Sequence, residues 1–327
     1  MERIKYLDYL KAFAIYLVVY GHLLCDYADE QASSPVCITI YSFHMALFMS
    51  LSGYFFQSSL KKSFTEVLKS KAVQLLIPLI AWDIIKTLVY AALNPDTAFA
   101  IVEHYIRKGG PAHGFWYLKT LFILYISNYL IFKIVKKDWI AAIASCAIFL
   151  ILPDINFTSI MCPFFWLGHF IRTQEGFFKN KITLILSLIA TVVIIGLLWK
   201  HDYAYNSKNN TPDVYLLRFA IGSAVSILLF WLFEVISPYI EKIDRRGIIT
   251  KIGGCTLGIY CIHMFFYMEI FWGDTLHICG NELYIALWGL VILMLCFLIV
   301  TLLKKTQITA LLVGIKYNKG NNTHKTN

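Results

Sequence analysis

The chain has 327 residues, of which 58% are hydrophobic and 15% charged, with a formal net charge of +9 and a mean hydropathy of +0.64. A soluble domain carries about 25% charged residues, so this composition excludes a soluble enzyme, a disordered chain and a disulfide scaffold. A polytopic membrane protein remains, and ten helical spans of about 20 residues fit the length with room for loops.

Taken in chain order, the apolar segments predict spans near 8–27, 37–57, 72–93, 115–133, 139–152, 157–171, 182–199, 214–237, 252–272 and 283–303. The expected fold class is all-α, a polytopic membrane helical bundle of about 10 transmembrane helices with both termini cytoplasmic. In that arrangement 21 of the 29 Lys and Arg residues fall in cytoplasmic segments, and only Arg107, Lys108, Lys200 and Lys208 fall outside. This is the positive-inside pattern, so the +9 reports topology rather than nucleic-acid binding. An integral-membrane domain over 1–310 is followed by a short basic and polar cytoplasmic tail, 311–327. The first segment has the basic end and apolar run of a signal peptide. Asp8, Lys11 and His22 interrupt it, and it reads as a retained first span. The eight cysteines contain no CxxC pair; Cys25 and Cys37 can meet outside as a disulfide or serve as two small apolar fillers.

Four basic residues fall inside predicted spans: Lys11, Lys86, Lys119 and Arg218. An ionised group in hydrocarbon is costly unless it faces the bundle interior, a wet cavity or a partner. Lys86 has Asp83 three positions earlier, the spacing of an ion pair on one helix face. Lys11 and Arg218 lie near span ends, where snorkelling competes with a cavity role. Lys119 follows Phe115, Trp116 and Tyr117, which read equally as an interfacial belt or as the mouth of a positive site. The 11-residue offset between Lys11 and His22 aligns them within about 20° on a helix, about 16 Å apart along its axis.

His44 and His263 fall with His22 in a broad outer-middle layer, whereas His169 lies near the inner end of the sixth span. An imidazole in a cavity accepts a proton near neutral pH, which suits activation of a hydroxyl or amine. The same groups suit a proton-coupled carrier or a haem ligand. No HExxH, close Cys/His cluster, P-loop or GxGxxG occurs, so no metal is expected. Gly253, Gly254 and Gly258 permit close helix packing or approach of a ligand. The segment 94–114, ending in KGGPAHG, is the longest outer connection, and it reads as a cover for an acceptor mouth or as a plain flexible loop.

The opening LDYLKAFAIYLVVYGH, with Leu7, Asp8, Lys11 and His22, resembles the first span of the integral-membrane acyltransferase-3 family. FHMALFMSLSGYFF, with Phe43, Phe48, Ser52, Gly53 and Tyr54, is similar to the family's second-span segment. FWYLKTLF is similar to its tryptophan-aromatic-leucine segment, and TLGIYCIHMFF resembles its late Tyr-x-x-His motif at Tyr260 and His263. The likeness extends over about residues 3–303. Lys11 stands where the family commonly has Arg, which keeps the charge but gives up a rigid bidentate fork. His113 lies farther from Trp116 than the family's corresponding histidine does.

The resemblance implies a membrane O-acyltransferase of the bacterial cytoplasmic membrane. Its donor would be acetyl-CoA and its acceptor a sugar hydroxyl of a cell-envelope glycan or lipid-linked saccharide. It implies Lys11 and His22 as the essential pair, with His22 accepting the hydroxyl proton or relaying the acyl group. Tyr260, His263 or Lys119 would orient His22 or stabilise the oxyanion. Lys11, Arg245, Arg246 and Lys251 are the expected partners of the donor phosphates, with no metal. A transporter or glycan flippase is the alternative built on the same buried charges. A noncatalytic sensor does not require Lys11 and His22 on one face.

Overall fold

Residues 4–27, 34–107, 115–153, 157–201, 212–267 and 282–314 are described by a computed structural model, and every regular element among them is helical. α1 (Lys5–Tyr27) is followed by α2 (Pro35–Tyr54), which opens with a proline in its first turn and a Ser34 side chain accepting from the Cys37 amide. Two short helices, α3 (Phe56–Ser59) and α4 (Phe64–Lys71), come next; Ser63 and Glu66 form a capping box at the start of α4. A π-helical turn, Ala72–Leu76, leads into α5 (Ile77–Leu93), and α6 (Ala98–Arg107) follows. The middle of the chain forms α7 (Trp116–Val135), α8 (Asp138–Ile151), α9 (Thr158–Thr173), α10 (Glu175–Phe178) and α11 (Lys181–His201). The last part forms α12 (Pro212–Ile243), α13 (Ile248–Gly253), α14 (Thr256–His263), α15 (Glu282–Leu303) and α16 (Gln307–Leu312).

Six helical stretches among the described residues are long and apolar enough to cross a bilayer: Lys5–Leu24, Pro35–Ser59, Phe64–Leu93, Trp116–Val135, Leu216–Ile243 and Glu282–Leu303. The chain is therefore a multi-pass helical membrane protein. The predicted segments 139–152, 157–171 and 182–199 coincide with α8, α9 and α11. Ile182, Leu186, Leu287 and Leu298 point outward, as lipid-facing side chains do.

Two expectations change. The segment 94–114 is not a plain loop, because Pro95–Thr97 forms a 3₁₀ turn and α6 occupies much of the rest; KGGPAHG and His113 lie outside the described residues. The ninth span is not one helix but α13, a break at Gly254 and Cys255, then α14 and a 3₁₀ turn over Met264–Tyr267. Paired glycines weaken a helix, and irregular backbone at membrane depth is tolerated where it lines a cavity.

α1 occupies the centre of the bundle, packed against α2, α12, α13 and α15, with Leu7, Leu10, Ile15, Val19 and Leu23 fully buried. Close crossings lock its neighbours. A Cβ on Gly168 of α9 would sit 1.8 Å from the Ser50 carbonyl oxygen of α2, and one on Gly253 would sit 2.0 Å from the Asp8 carbonyl oxygen of α1. Small residues thus set the helix spacing, as van der Waals packing between membrane helices requires. Asp244 caps α13 by accepting from the Ile249 amide (3.1 Å) and the Thr250 amide (3.1 Å) and hydroxyl (3.0 Å). Burial pushes that carboxyl up, but the Thr250 and Ile249 donors outweigh it and hold Asp244 below the usual carboxylate range.

Behind the last span, Trp82 Nε1 donates to the Leu312 carbonyl (2.7 Å), and Val313 is wholly buried. Cys37 is disulfide-bonded, while Cys146, Cys162, Cys255, Cys261 and Cys296 are free. The Cys25 side chain lies outside the described residues, so its pairing with Cys37 is not described.

Candidate functional site

The 11-residue offset on α1 has a direct consequence: Lys11 and His22 open into two different cavities off the same helix. The His22 cavity encloses about 1240 Å³ including its mouth, and its walls include Tyr41, Ser42, His44, Trp116, Phe157 and Arg218. The Lys11 cavity spans about 1230 Å³ with the open space at its mouth included, and Lys71, Gln74, Tyr117, Tyr125, Gly254 and Cys255 are among its walls. Met45 and Tyr260 belong to the walls of both. The broken helix α13–α14 supplies Gly253 through Leu257 to the Lys11 cavity, which gives the unwound backbone its open space.

In the Lys11 cavity, Lys11 Nζ lies 3.5 Å from Asp8 Oδ1 and 4.4 Å above the Phe55 ring. Lys71, the last residue of α4, places its ammonium 3.8 Å above the Tyr125 ring and 3.3 Å from Gln74 Oε1. Aromatic faces stabilise cations through the ring quadrupole without neutralising them, so the cavity keeps two positive side chains beside one carboxylate. The π-helical turn that starts at Ala72 follows Lys71 directly, and such turns recur at functional sites. In the sequence, Lys71 counts only toward the cytoplasmic charge that sets topology. The i,i+3 spacing to Gln74 is local and legible there, whereas the cavity it shares with Lys11 is not. Lys304 Nζ approaches the Cys255 sulfur at 2.8 Å.

Around the other cavity the three histidines of the outer-middle layer do come together. The His22 and His263 rings are 5.6 Å apart, and His263 stands 5.5 Å from the Tyr260 ring, which is 5.7 Å from Tyr117. Tyr41 Oη lies 3.4 Å from His22 Nδ1, and the Tyr41 ring meets the His44 ring edge-on at 4.8 Å. His44 Nδ1 donates to the Ile40 carbonyl at 2.8 Å, so its Nε2 is the acceptor nitrogen. Tyr260 lines both cavities, whereas His263 is fully buried behind them.

The other nominated residues divide. Arg218 lines the His22 cavity. Lys86 and Lys119 line neither cavity; Arg245 and Arg246 sit at the α12–α13 turn, and Lys251 of α13 donates from Nζ to the Arg246 carbonyl at 3.1 Å. His169 stands apart, 3.0 Å from Asp138 Oδ1. Among the described residues, no group of three His, Cys, Asp or Glu side chains is placed to hold a metal ion. An imidazole and a phenol on one side, with two ammoniums on the other, suit proton transfer beside an anionic substrate.

A family profile for an acyltransferase domain matches residues 4–305. The chain is 28% identical over 288 residues to nodulation protein NolL of Mesorhizobium japonicum, covering 78% of this chain and 74% of that one. It is 29% identical over 281 residues to nodulation protein NolL of Sinorhizobium fredii, covering 78% and 75%. No solved structure gives a significant match.

Proposed function

The chain belongs to the acyltransferase family matched over residues 4–305, and from that premise we propose that it moves acetyl from acetyl-CoA to a sugar hydroxyl of a cell-envelope glycan or lipid-linked saccharide. The observation that carries this reading is the pair of cavities with shared walls at Met45 and Tyr260, one holding Lys11 and the other His22. The accompanying topology has ten spans, both termini cytoplasmic, in a bacterial cytoplasmic membrane. The Lys11 cavity then faces the cytoplasm, where acyl-CoA is found, and the His22 cavity faces outward. This orientation follows the distribution of Lys and Arg.

The donor's phosphates pair with Lys11 and Lys71 while its thin thioester arm passes the α13–α14 break toward Tyr260. Arg245 and Arg246 on the surface turn, with Lys251 of α13, raise the local concentration of the anionic donor rather than gripping it. His22 accepts the proton of the sugar hydroxyl as the oxygen attacks the thioester carbonyl. The new C–O bond forms, the C–S bond breaks, and the CoA thiolate leaves toward the Lys11 side. The Tyr260 hydroxyl donates to the oxyanion, and His263 holds the rings of His22 and Tyr260 apart. Transfer is direct in this scheme, with donor and acceptor meeting beside Tyr260, which lines both cavities.

Binding of acetyl-CoA to the purified, folded protein in nanodiscs tests the donor side. Micromolar affinity that weakens as salt rises is expected, since the phosphates are charged. Radiolabelled acetyl should then appear in the envelope-glycan fraction of membranes containing the protein. Absence of affinity for any short acyl-CoA by a folded protein sinks the reading and leaves the membrane fold untouched.

A further inference from the structure

The geometry points to Met45 as the residue that sets the size of the acyl group transferred; this rests on the proposed reaction, in which donor thioester and acceptor hydroxyl meet beside Tyr260. One face of α2 runs past both cavities. Ile38, Tyr41 and Ser42 line the His22 cavity, Phe48 and Ser52 line the Lys11 cavity, and Met45 lines both. On an α-helix these six positions fall within about 120° of one another and span about 21 Å along the axis, with Met45 at the midpoint. The two cavities are thus laid end to end along α2, and position 45 marks where one gives way to the other.

Tyr260 of α14 is the other residue common to both walls, and its ring is hemmed by Phe115 (6.1 Å), Tyr117 (5.7 Å) and His263 (5.5 Å). In the proposed reaction the carbonyl oxygen goes to the Tyr260 hydroxyl and the sulfur trails into the Lys11 cavity. The acyl chain is left to lodge against the other wall of the junction, Met45. An unbranched thioether adapts its shape, but rings flank it one turn away on either side: Tyr41 packs on His44 at 4.8 Å, and Phe48 meets Tyr117 at 6.1 Å. Nor can α2 back away, because its Ser50 carbonyl oxygen lies only 1.8 Å from where a Cβ on Gly168 of α9 would sit. Acetyl adds a single methyl to the reacting carbonyl, whereas each further methylene presses on the thioether. One methylene in a fitted apolar pocket changes rate by about 10- to 200-fold, so the junction selects short acyl chains, acetyl first.

The test uses membrane vesicles containing the full-length protein and their own envelope glycans, supplied with equal concentrations of acetyl-CoA and butyryl-CoA. Acetylated and butyrylated glycans are measured by mass spectrometry against vesicles lacking the protein. The product ratio reports relative kcat/KM and is independent of how much protein folds. The wild-type protein should favour acetyl by at least about tenfold. Met45→Ala should raise the butyryl-to-acetyl ratio by at least about tenfold, and Met45→Val by less; the Val substitution carries the same reading should Met45→Ala not fold. Met45→Leu conserves volume and should keep the wild-type ratio. An unchanged ratio in the active Ala or Val protein overturns the role of Met45 and leaves the proposed reaction standing. An equal rise in Met45→Leu also overturns it, since loosened packing rather than removed volume then admits the longer chain. A folded wild-type protein that transfers neither acyl group removes the reaction and the inference together.

Discussion

Two clusters of buried polar side chains lie inside the bundle, and they differ in whether open space reaches them. The first gathers His22, Tyr41, His44, Tyr260 and His263 from α1, α2 and α14, beside the open-mouthed His22 cavity. The second joins α7, α8 and α9: Asn128 Oδ1 accepts from Trp166 Nε1 at 3.1 Å and from Ser145, whose hydroxyl lies 3.2 Å from the Cys162 sulfur. Asn128, Ser145 and Cys162 are entirely buried, and neither cavity is lined by any member of this second cluster. In the sealed cluster Asn128 Oδ1 satisfies Trp166 Nε1 and the Ser145 hydroxyl and fixes the helix positions, although Asn128 Nδ2 is buried without a hydrogen-bond partner among the described residues. Polar atoms on a cavity wall keep capacity for a substrate. Burial and polarity are shared by the two clusters, so they do not by themselves mark a site.

That contrast breaks most readily at His22. His22→Ala is expected to lower acetyl transfer by at least about 10²-fold, the low end for a general base, with normal yield of folded protein. Asn or Gln at this position keeps a hydrogen bond without proton acceptance, so both should stay near the Ala level. Near-normal transfer by either amide variant would shift the assignment to His263 and reduce the α1 motif to packing.

On the Lys11 side, Lys71→Ala and Lys11→Ala should each weaken acetyl-CoA binding by about 10- to 100-fold, the scale of one lost charge-assisted hydrogen bond. Lys11→Arg, which keeps the charge, should retain part of the affinity. Equilibrium titration that finds unchanged donor affinity in both alanine variants confines the two lysines to topology and helix packing.

Substitution in the sealed cluster should move stability instead. Asn128→Ala strands Trp166 Nε1 in a sealed interior and leaves the Ser145 hydroxyl only the Cys162 sulfur, for about 1–2 kcal/mol of destabilisation. Thermal unfolding in detergent should show that loss, while turnover per folded molecule stays normal. A drop in turnover without a drop in melting temperature contradicts the division between the clusters.

The smallest effect is expected at Asp244. Its carboxyl is held below its ordinary value in the folded chain, so its contribution is complete above the unfolded carboxylate pKa, about 3.9, and is lost as pH falls through the lower folded value. Asp244→Asn should cost about 0.5 kcal/mol at pH 7 after allowance for solvent screening. Melting curves of the two proteins should converge in acid; a difference that persists at pH 3 assigns the effect to lost capping geometry rather than charge.

The membrane class, the helical content and the Lys11–His22 relation were legible because each depends on local pattern. Apolar runs of span length require helices in lipid, and an 11-residue offset fixes two directions on any α-helix. The histidine layer was legible from depth within spans, although depth did not show that His22 and His263 come within 5.6 Å. The break in the ninth span was half legible. Gly253 and Gly254 stood in the sequence, but the same pair fits a close crossing or a rupture, and both occur here: Gly253 packs on Asp8 while Gly254 and Cys255 line a cavity.

What the sequence by itself determined was the solvent this chain folds in, the directions of side chains along each helix, and a family pattern resting on Leu7, Asp8, Lys11 and His22. The tertiary structure alone decided which polar groups share a space. Lys71 and Lys11 are 60 positions apart, and no local rule relates them. Arg245 and Arg246 appeared equally suited to an anion, yet they remain on a surface turn. Helical periodicity sets an angle about one axis; which neighbour meets that face depends on backbone approach at positions such as Gly53, Gly168 and Gly253, where the absence of a Cβ brings whole helices into contact.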